Sequence, residues 1–427
     1  THGFQPILFG SGDSLMELAT EIRNRADLEN EADEGAWLLD YDVSEEGGYG
    51  FFDREESILP GQSGTLDDGM VGEVVLLFDW ALESDELSSG WAEAAGDALF
   101  STLIALGLVD PATPDANIDF HFIGHSFGTA VTSEAVERFA AFDIEVDQVN
   151  YLDPHDFDQD ILLDISPEDE QQLWTLGLPQ DPANQSPHSY GVSVWDNVNF
   201  TDVYYQTTDE VLIENIIPEG RPIPGAYNMW MEPDDPSLDG INDHSLIWNS
   251  YYIDTVKDLD STEGYALSRI LEGQNDRPDP VFFGSTSQDH ENSSPLLVNP
   301  ADGQPNTAGL ASLGLTVDDV EKGKRDAVWD PLSIVNGDFE DVGTNWFTDI
   351  DPGWSHHGGG GKGFIDLDDA GVNHYLELGS STATDLISDA IRTHNILYIP
   401  TTASSLSFDI WIDDESSEDK FEVKIGD

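Results

Sequence analysis

The chain of 427 residues contains no cysteine and few basic residues, and both deficits narrow what the protein can be. Without cysteine it can form neither disulfide bonds nor thiolate metal sites. Only 15 lysines and arginines oppose 86 aspartates and glutamates, so the formal net charge is −71. Nucleic acid and anionic membrane surfaces would be repelled by this charge, and we expect neither as a partner.

Long apolar runs are absent from the sequence as well. No stretch approaches the roughly 18 consecutive apolar residues of a membrane-spanning helix, so the sequence predicts no transmembrane segment. No signal peptide is visible, but the chain begins at Thr1 rather than at Met. We therefore expect a fragment of a longer chain, and a missing signal says little about its location.

The sequence does contain enough apolar and aromatic residues for packed cores. It is 39% hydrophobic and has 11 Trp, 12 Tyr and 20 Phe, whereas disordered acidic chains are poor in aromatic residues. Its length is sufficient for two domains or three small ones. The acidic residues are spread along the chain and lysine is scarce, a composition that resembles proteins of salt-loving organisms. We therefore expect a salt-adapted protein.

The most informative stretch is residues 118–128, which read Ile-Asp-Phe-His-Phe-Ile-Gly-His-Ser-Phe-Gly. A short apolar run predicts a buried strand, and a helix is predicted from about residue 129 to residue 139. Between them, Gly124 and Gly128 flank Ser126 in the pattern G-x-S-x-G, the nucleophile elbow that exposes a serine on a tight turn. The pattern occurs by chance in many chains, but its strand–turn–helix setting favours Ser126 as a nucleophile. The first N–H groups of the helix would face a developing oxyanion.

Strands and helices alternate on both sides of this turn, which predicts an α/β fold with a mostly parallel sheet. The other predicted strands are residues 36–39, 73–78, 146–152 and 190–195, and the other predicted helices are residues 13–30, 88–108 and 246–256. A His-Gly pair such as His2-Gly3 often supplies the second oxyanion donor in these folds, from a loop that follows an early strand. That strand, and any before it, is therefore expected to be missing from this chain.

A nucleophilic serine needs a general base and a carboxylate that orients the base. In α/β-hydrolases the acid and then the histidine follow the serine along the chain. We predict His244 as the base because it follows the last predicted sheet strand on a loop. Two acids remain open: Asp153 ends the strand after the elbow helix, and Asp196 ends the next predicted strand, which is the commoner position among these hydrolases.

Three short motifs together resemble the lipase family typified by pancreatic lipase, and they are His2-Gly3-Phe4, Gly124-His125-Ser126-Phe127-Gly128 and Leu152-Asp153-Pro154. The resemblance covers roughly residues 1–260 and rests on these motifs rather than on continuous similarity. It implies an α/β-hydrolase fold and carboxylic ester hydrolysis, with Ser126 as nucleophile, Asp153 as acid and His244 as base. The backbone N–H groups of Phe4 and Phe127 would form the oxyanion hole. The Leu-Asp-Pro match favours Asp153 over Asp196 as the acid.

The character of the sequence changes after residue 276, so we assign residues 1–276 to the catalytic domain. Residues 277–332 are rich in Pro, Asn, Ser and Gly and are typical of a linker. Residues 333–427 alternate at the strand period and predict a β-sandwich that is cut short at Asp427. Its opening, residues 336–340, resembles jelly-roll modules of secreted proteins. We therefore expect a secreted or cell-surface protein, with a polysaccharide or another surface ligand for this module.

An acidic loop follows the predicted strand at residues 146–152. Asp156, Asp158 and Asp160 alternate there in a pattern that could hold Ca²⁺. In so acidic a chain the favoured interpretation is a solvated surface loop, and we expect no cofactor.

Together these features predict a salt-adapted serine ester hydrolase, lipase- or esterase-like, that acts on a small-molecule or lipid ester. Two alternatives remain open. A related enzyme could hydrolyse a polyester or an acylated polysaccharide, with the β-sandwich as an anchor. A non-catalytic binding or surface protein could also be built on a hydrolase scaffold, although every residue type that the chemistry requires is present in a workable order.

The excess of negative charge predicts that salt stabilises the fold. Repulsion among carboxylates opposes compaction at low ionic strength, and the Debye length falls from about 10 Å at 0.1 M salt to about 3 Å at 1 M. We expect a higher midpoint of thermal unfolding in about 3 M KCl than in about 0.1 M KCl, because the repulsion is then screened. A midpoint that is unchanged or lower at high salt would contradict salt adaptation.

Overall fold

The computed structural model describes part of the chain, and all structural statements below concern that part. The described residues are 15–29, 35–43, 50–53, 72–78, 89–113, 118–154, 192–206, 220, 223, 225–231, 244–261, 264–265, 306–308, 317, 324–327, 329, 354–358, 364–367, 374–377 and 389–393.

The amino-terminal two thirds of the described chain contain both helices and strands. The helices are α1 (Met16–Glu29), α2 (Ser89–Ala105) and α3 (Gly128–Ala141), followed by α4 (His244–Leu246), a π-helical segment (Ile247–Tyr252) and α5 (Ile253–Lys257). The strands are β1 (Gly35–Val43), β2 (Gly50–Asp53), β3 (Gly72–Phe78), β4 (His121–His125), β5 (Val146–Leu152), β6 (Val198–Tyr205) and β7 (Tyr227–Trp230). We call the continuous run from α4 to α5 the His244 helix.

Parallel pairing dominates the two sheets that these strands form. β1 pairs with β3 in parallel and with β2 antiparallel. β4, β5, β6 and β7 form a four-stranded sheet in that order, and every neighbouring pair is parallel. Parallel sheets with helices between the strands define the α/β class, as the alternation of the sequence predicted.

Register brings the carboxyl ends of three strands to one edge of the four-stranded sheet. His125, the last residue of β4, is paired with Leu152, the last residue of β5. Leu152 is in turn paired with Tyr204, near the end of β6. Residues that directly follow these strands are therefore neighbours along this edge.

Successive residues of the central strands point to opposite faces, and a separate core covers each face. Tyr151 and Val203 belong to the core under α2 and α3. Leu152 and Tyr204 belong to the core under α1 and the His244 helix. Arg25 of α1 joins that second layer together, because its guanidinium donates hydrogen bonds of 3.0 Å to the carbonyls of Thr255 and Val256 at the carboxyl end of the His244 helix.

Residues 192–195, the described part of the strand predicted at residues 190–195, do not form a sheet strand, and the strand that joins the sheet is Val198–Tyr205. Val194 and Trp195 are buried because they cover α3, where the Trp195 indole donates to the carbonyl of Ser133 at 2.8 Å. The strand at Val198–Tyr205 is hard to recognise in the sequence because it buries a polar residue, Asp202. Asp202 accepts hydrogen bonds from Gln148 (2.9 Å) and Asn150 (2.5 Å) of β5, so its burial is satisfied within the sheet.

A second difference lies between β6 and the His244 helix, where the sequence showed no periodic pattern. Tyr227–Trp230 pairs with β6 in parallel and adds a fourth strand to the sheet. Four residues are too few to display a strand period, and only the pairing identifies them.

Part of the predicted linker at residues 277–332 packs against the α/β unit. The backbone of Arg325 donates to Val194 (2.8 Å) and accepts from Asp196 (2.9 Å), and Arg325 bridges to Trp195. Trp329 is buried and its backbone N–H donates to Glu137 at 2.9 Å. These described residues therefore contact the α/β unit, although their composition is typical of a linker.

The strands described in residues 333–427 form two antiparallel ribbons. β8 (Trp354–Gly358) pairs with β11 (Asp389–Thr393), and β9 (Phe364–Leu367) pairs with β10 (His374–Glu377). Antiparallel strands agree with the strand period of this region.

No described helix combines the length and the apolar character that crossing a bilayer requires.

A buried cluster of charges holds α2 against α3. The guanidinium of Arg138 is fully buried and contacts carboxylates of both helices. Its nearest partners are Glu134 Oε2 (2.5 Å) and Asp97 Oδ1 (2.7 Å), and Glu137 and Glu93 lie at 3.6 and 3.8 Å. The Trp329 ring closes the cluster, with its centroid 5.0 Å from the guanidinium carbon. The guanidinium of Arg138 therefore forms ion pairs with four buried carboxyl groups.

Arg138 does not fully compensate for the burial of the carboxyl groups around it, and the pKa values of two of them rise. Burial raises the pKa of Glu134 well above its usual value, and Glu137 and Glu93 add to the rise although Arg138 opposes it. Burial likewise raises the pKa of Asp97 against the effect of Arg138. Burial therefore favours the protonated, neutral form of Glu134.

We expect Glu134→Gln to become more favourable for stability, relative to the parent chain, as the pH rises. A carboxyl whose pKa is higher in the folded than in the unfolded state destabilises the fold progressively as the pH rises above its unfolded value, through the folded pKa. Glutamine keeps the shape of the protonated acid and does not titrate. Urea unfolding of both proteins at about pH 5 and pH 8, in the same KCl concentration, measures this difference.

The matched control is Glu145→Gln, which removes one exposed carboxylate just after α3 and outside the cluster. It reports the effect of net charge alone. If the stability difference between Glu134→Gln and the parent is the same at both pH values, the proton is not held at Glu134.

Candidate active site

Ser126 lies on the turn between β4 and α3 in a left-handed conformation, with φ = 55°. Its N–H donates to the carbonyl of Leu152 (3.0 Å), and its carbonyl accepts the N–H and the hydroxyl of Thr129 (3.0 and 2.5 Å). A non-glycine residue rarely adopts this conformation, which costs of order 1–3 kcal/mol and is concentrated at functional sites. The turn therefore has the strained backbone that a nucleophile elbow requires.

Gly124 allows this turn to be tight. A Cβ atom on Gly124 would lie 2.7 Å from the carbonyl oxygen of Gly128 and 2.8 Å from Cα of Thr129. Neither backbone atom can move without unwinding the start of α3. Phe127 is the N-cap of this helix, and its ring is fully buried in the core under α2 and α3. The packing of this ring therefore fixes the position of the turn.

Asp153 occupies the corresponding position after β5, and it too is left-handed, with φ = 48°. Its side chain is fully buried. Its N–H donates to the carbonyl of Tyr204 at 2.7 Å and so continues the hydrogen bonding of the sheet one residue beyond β5. Two strained residues, Ser126 and Asp153, thus follow neighbouring strands at the same edge.

His244 contacts Asp153 directly. Its Nδ1 lies 2.7 Å from Oδ2 of Asp153, although the two residues are 91 positions apart in the chain. The imidazole is largely buried, with 12% of the side chain exposed. A buried carboxylate at this distance orients the ring and can accept a proton from Nδ1, as a general base requires. The pair can therefore act as a general base with its second nitrogen.

His125 ties the start of the His244 helix to the elbow. Its Nε2 lies 3.1 Å from the backbone oxygen of His244, and the two rings are 4.6 Å apart between centroids. Trp248, one turn further along the His244 helix, has its ring 6.1 Å from that of His125. The residue before Ser126 thus contacts the predicted base, and the residue before Asp153 accepts the N–H of Ser126.

Gln206, the residue after β6, completes the surroundings of the carboxylate. Its backbone N–H donates to Oδ1 of Asp153 and its side-chain Nε2 donates to Oδ2, both at 3.0 Å. Gly220 lies against the same side chain, because a Cβ at Gly220 would overlap Oδ1. The Asp153 carboxylate is consequently enclosed and hydrogen-bonded on both oxygens.

Asp196 lies at the opposite edge of the sheet from His244. It precedes β6, whose first residue Val198 is paired with Val146, the first residue of β5. A strand of this length separates its two ends by roughly 20 Å. Asp196 is exposed there and its backbone N–H donates to the carbonyl of Arg325, whereas the contact with His244 is made by Asp153.

Several predicted site residues lie outside the described residues. They are Phe4 of the oxyanion prediction, with His2 and Gly3, and Asp156, Asp158 and Asp160 of the calcium alternative. Among the residues that are described, no group of three or more histidine, aspartate or glutamate side chains is arranged to hold a metal ion.

Gln206, Gly220 and the contact made by His125 were not foreseen from the sequence. Gln206 could have been found if the strand had been assigned to residues 198–205, because the residue after β6 must then lie beside Asp153. Gly220 has no local signal, since it stands in a stretch without periodicity. His125 occupies the variable position of the elbow pattern, which carries no required residue type.

Comparison of the whole chain with known protein families, with curated proteins and with solved structures finds no significant match.

Proposed function

We propose that the chain is a serine carboxylic ester hydrolase, lipase- or esterase-like, with Ser126 as nucleophile, His244 as general base and Asp153 as the acid that orients it. The observation that supports this most strongly is the 2.7 Å contact between His244 and Asp153 at the sheet edge where the left-handed Ser126 lies. The α/β class of the described sheet and the order Ser, Asp, His along the chain agree with an α/β-hydrolase fold.

The proposed reaction has two halves. His244 accepts the hydroxyl proton of Ser126 through the nitrogen that does not face Asp153, while the serine oxygen attacks the ester carbonyl carbon. The imidazolium then protonates the leaving alkoxide as the carbon–oxygen bond breaks, which leaves an acyl-enzyme and an alcohol. Water, deprotonated by His244, attacks the acyl-enzyme and releases the carboxylic acid and Ser126.

The tetrahedral intermediate of each half carries an oxyanion that needs two N–H donors. We assign these to the backbone of Phe127, which is the N-cap of α3, and to that of Phe4, on the resemblance to the pancreatic lipase family. The amino terminus of α3 adds a favourable dipole.

The remainder of the proposal follows from composition and from the carboxyl-terminal region. The enzyme is salt-adapted, because its charge of −71 is spread along the chain. Residues 333–427 form a β-sandwich accessory module that binds a polysaccharide or another surface ligand, and the protein acts outside the cell or on its surface.

We expect Ser126→Ala to abolish hydrolysis of p-nitrophenyl esters, with a loss of several orders of magnitude in kcat/KM, because no other group can form the acyl-enzyme. A fluorophosphonate probe should label the parent chain at Ser126 and leave the variant unlabelled. Ser133→Ala is the control, since Ser133 is a buried serine of α3 that bonds to Ser193 instead. Activity of Ser126→Ala within about tenfold of the parent would exclude the proposed nucleophile, and a parent chain that neither hydrolyses esters nor takes the label would favour a non-catalytic binding protein.

The two acids are distinguished by a pair of matched variants. Asp153→Asn should lower kcat by about 10⁴-fold, because an amide can hold the imidazole in the wrong tautomer. Asp196→Asn should leave kcat within a few-fold of the parent, because Asp196 lies at the far edge of the sheet. Steady-state kinetics of the two variants at one salt concentration provide the measurement, and the reverse order of effects would move the acid to Asp196.

A further inference from the structure

We infer that Gln206 is a positioning residue that holds the Asp153 carboxylate in the orientation in which it serves His244. This inference rests on the proposed function for its catalytic consequence. Its structural part concerns only how the carboxylate is held, and can be tested without any activity.

Gln206 donates two of the hydrogen bonds that the described residues make to the Asp153 carboxylate, and His244 makes a third contact. The backbone N–H of Gln206 is 3.0 Å from Oδ1, and the side-chain Nε2 is 3.0 Å from Oδ2. His244 Nδ1 is 2.7 Å from Oδ2. The amide of Gln206 and the imidazole of His244 therefore share one oxygen, while the other oxygen is pinned by the backbone.

This arrangement fixes the rotation of the carboxylate about its Cβ–Cγ bond. A carboxylate bonded at Oδ2 alone could turn about that bond and still reach His244, but the second contact at Oδ1 removes this freedom. Gly220 closes the remaining side, where the space beside Oδ1 is too small for a Cβ atom. Gln206 and Gly220 thereby set the plane of the carboxylate.

Gln206 is also suited to this role by its charge. Asp153 and Gln206 are both fully buried, and an ionised carboxylate in such a place needs donors on both oxygens. A neutral amide supplies a donor without adding a cation that would compete with the imidazolium for the carboxylate. The titratable side chains that the described contacts place at this point include Asp153 and His244, and the ring of His125 is packed at an angle against that of His244.

The first test variant is Gln206→Met, which keeps the length of the side chain and removes its donor. We expect kcat to fall by about tenfold to a hundredfold, as for other small losses of alignment. KM should stay within about twofold, because Gln206 acts on the Asp153 carboxylate and not on the bound substrate. The hydrogen-bonded N–H proton of His244, followed by NMR as the low-field signal that is lost in His244→Asn, should shift upfield or broaden by exchange.

The second variant, Gln206→Glu, adds a pH signature that a purely structural residue would not produce. A proton shared between the introduced carboxyl group and Asp153 restores the missing donor, whereas two ionised carboxylates about 3 Å apart repel each other. We expect kcat of this variant to exceed that of Gln206→Met at low pH and to fall as the shared proton is lost, giving a descending alkaline limb that the parent chain and Gln206→Met lack.

Gln148→Met is the matched control. Gln148 is also a fully buried glutamine of the same sheet that donates to a buried aspartate, Asp202, at 2.9 Å. It lies near the start of β5, roughly 13 Å along the strand from Leu152. We expect it to lower the unfolding midpoint as much as Gln206→Met does, with kcat, the pH profile and the His244 signal unchanged.

The outcomes separate this inference from the proposed function. If the parent chain hydrolyses esters and Gln206→Met retains its kcat, pH profile and His244 N–H signal, the positioning role is excluded and the proposed function stands. If the parent chain is inactive, the proposed function fails, and the His244 signal in Gln206→Met compared with Gln148→Met still decides whether Gln206 holds the carboxylate. Should Gln206→Met not fold, the presence or absence of the alkaline limb, or of a pH-dependent His244 signal, in Gln206→Glu decides.

Discussion

The hydrogen bonding between parallel strands is the constraint on which the whole candidate site depends. β4, β5 and β6 run in the same direction and in a register that pairs His125 with Leu152 and Leu152 with Tyr204. The ladder continues one residue beyond two of the strands, from the N–H of Ser126 to Leu152 and from the N–H of Asp153 to Tyr204. Parallel strands all end at the same edge of the sheet. The residues that directly follow these three strands therefore become neighbours although they are far apart in the chain, and they are Ser126, Asp153 and Gln206.

Holding these residues at the edge has a cost that the surrounding structure must offset. Ser126 and Asp153 both adopt left-handed backbones, and Asp153 is a buried carboxylate. The backbone hydrogen bonds that continue the sheet offset the strain. The donors of Gln206 and His244 stabilise the charge of the Asp153 carboxylate. His244 is held in turn from two sides, through its ring by Asp153 and through its carbonyl by His125. Such mutual support is what allows strained residues to persist in a folded chain.

Acidity has different consequences on the surface and in the interior of this protein. The net charge of −71 acts through repulsion that solvent and salt screen. Between α2 and α3 the same residue types are buried around Arg138, where screening is weak and burial raises the pKa of Glu134 and of Asp97. Composition predicts the first effect, whereas the second depends on which few of the 86 acidic residues fold inward.

Local sequence was sufficient for the features that depend on neighbours along the chain. The turn at Ser126, the strand at residues 146–152 and the helices α2 and α3 carry short-range patterns of apolar and small residues, and these elements are present at nearly the predicted bounds. The contact of Asp153 with His244, the strand at Val198–Tyr205 and the hydrogen bonds of Gln206 could be seen only in the tertiary structure. A buried polar residue such as Asp202 breaks the apolar period of its strand, because its partners Gln148 and Asn150 come from another strand. The position of a carboxylate along the sheet likewise depends on the register of the strands. Register is set by pairing between distant segments, so it cannot be recognised in the sequence of either segment alone.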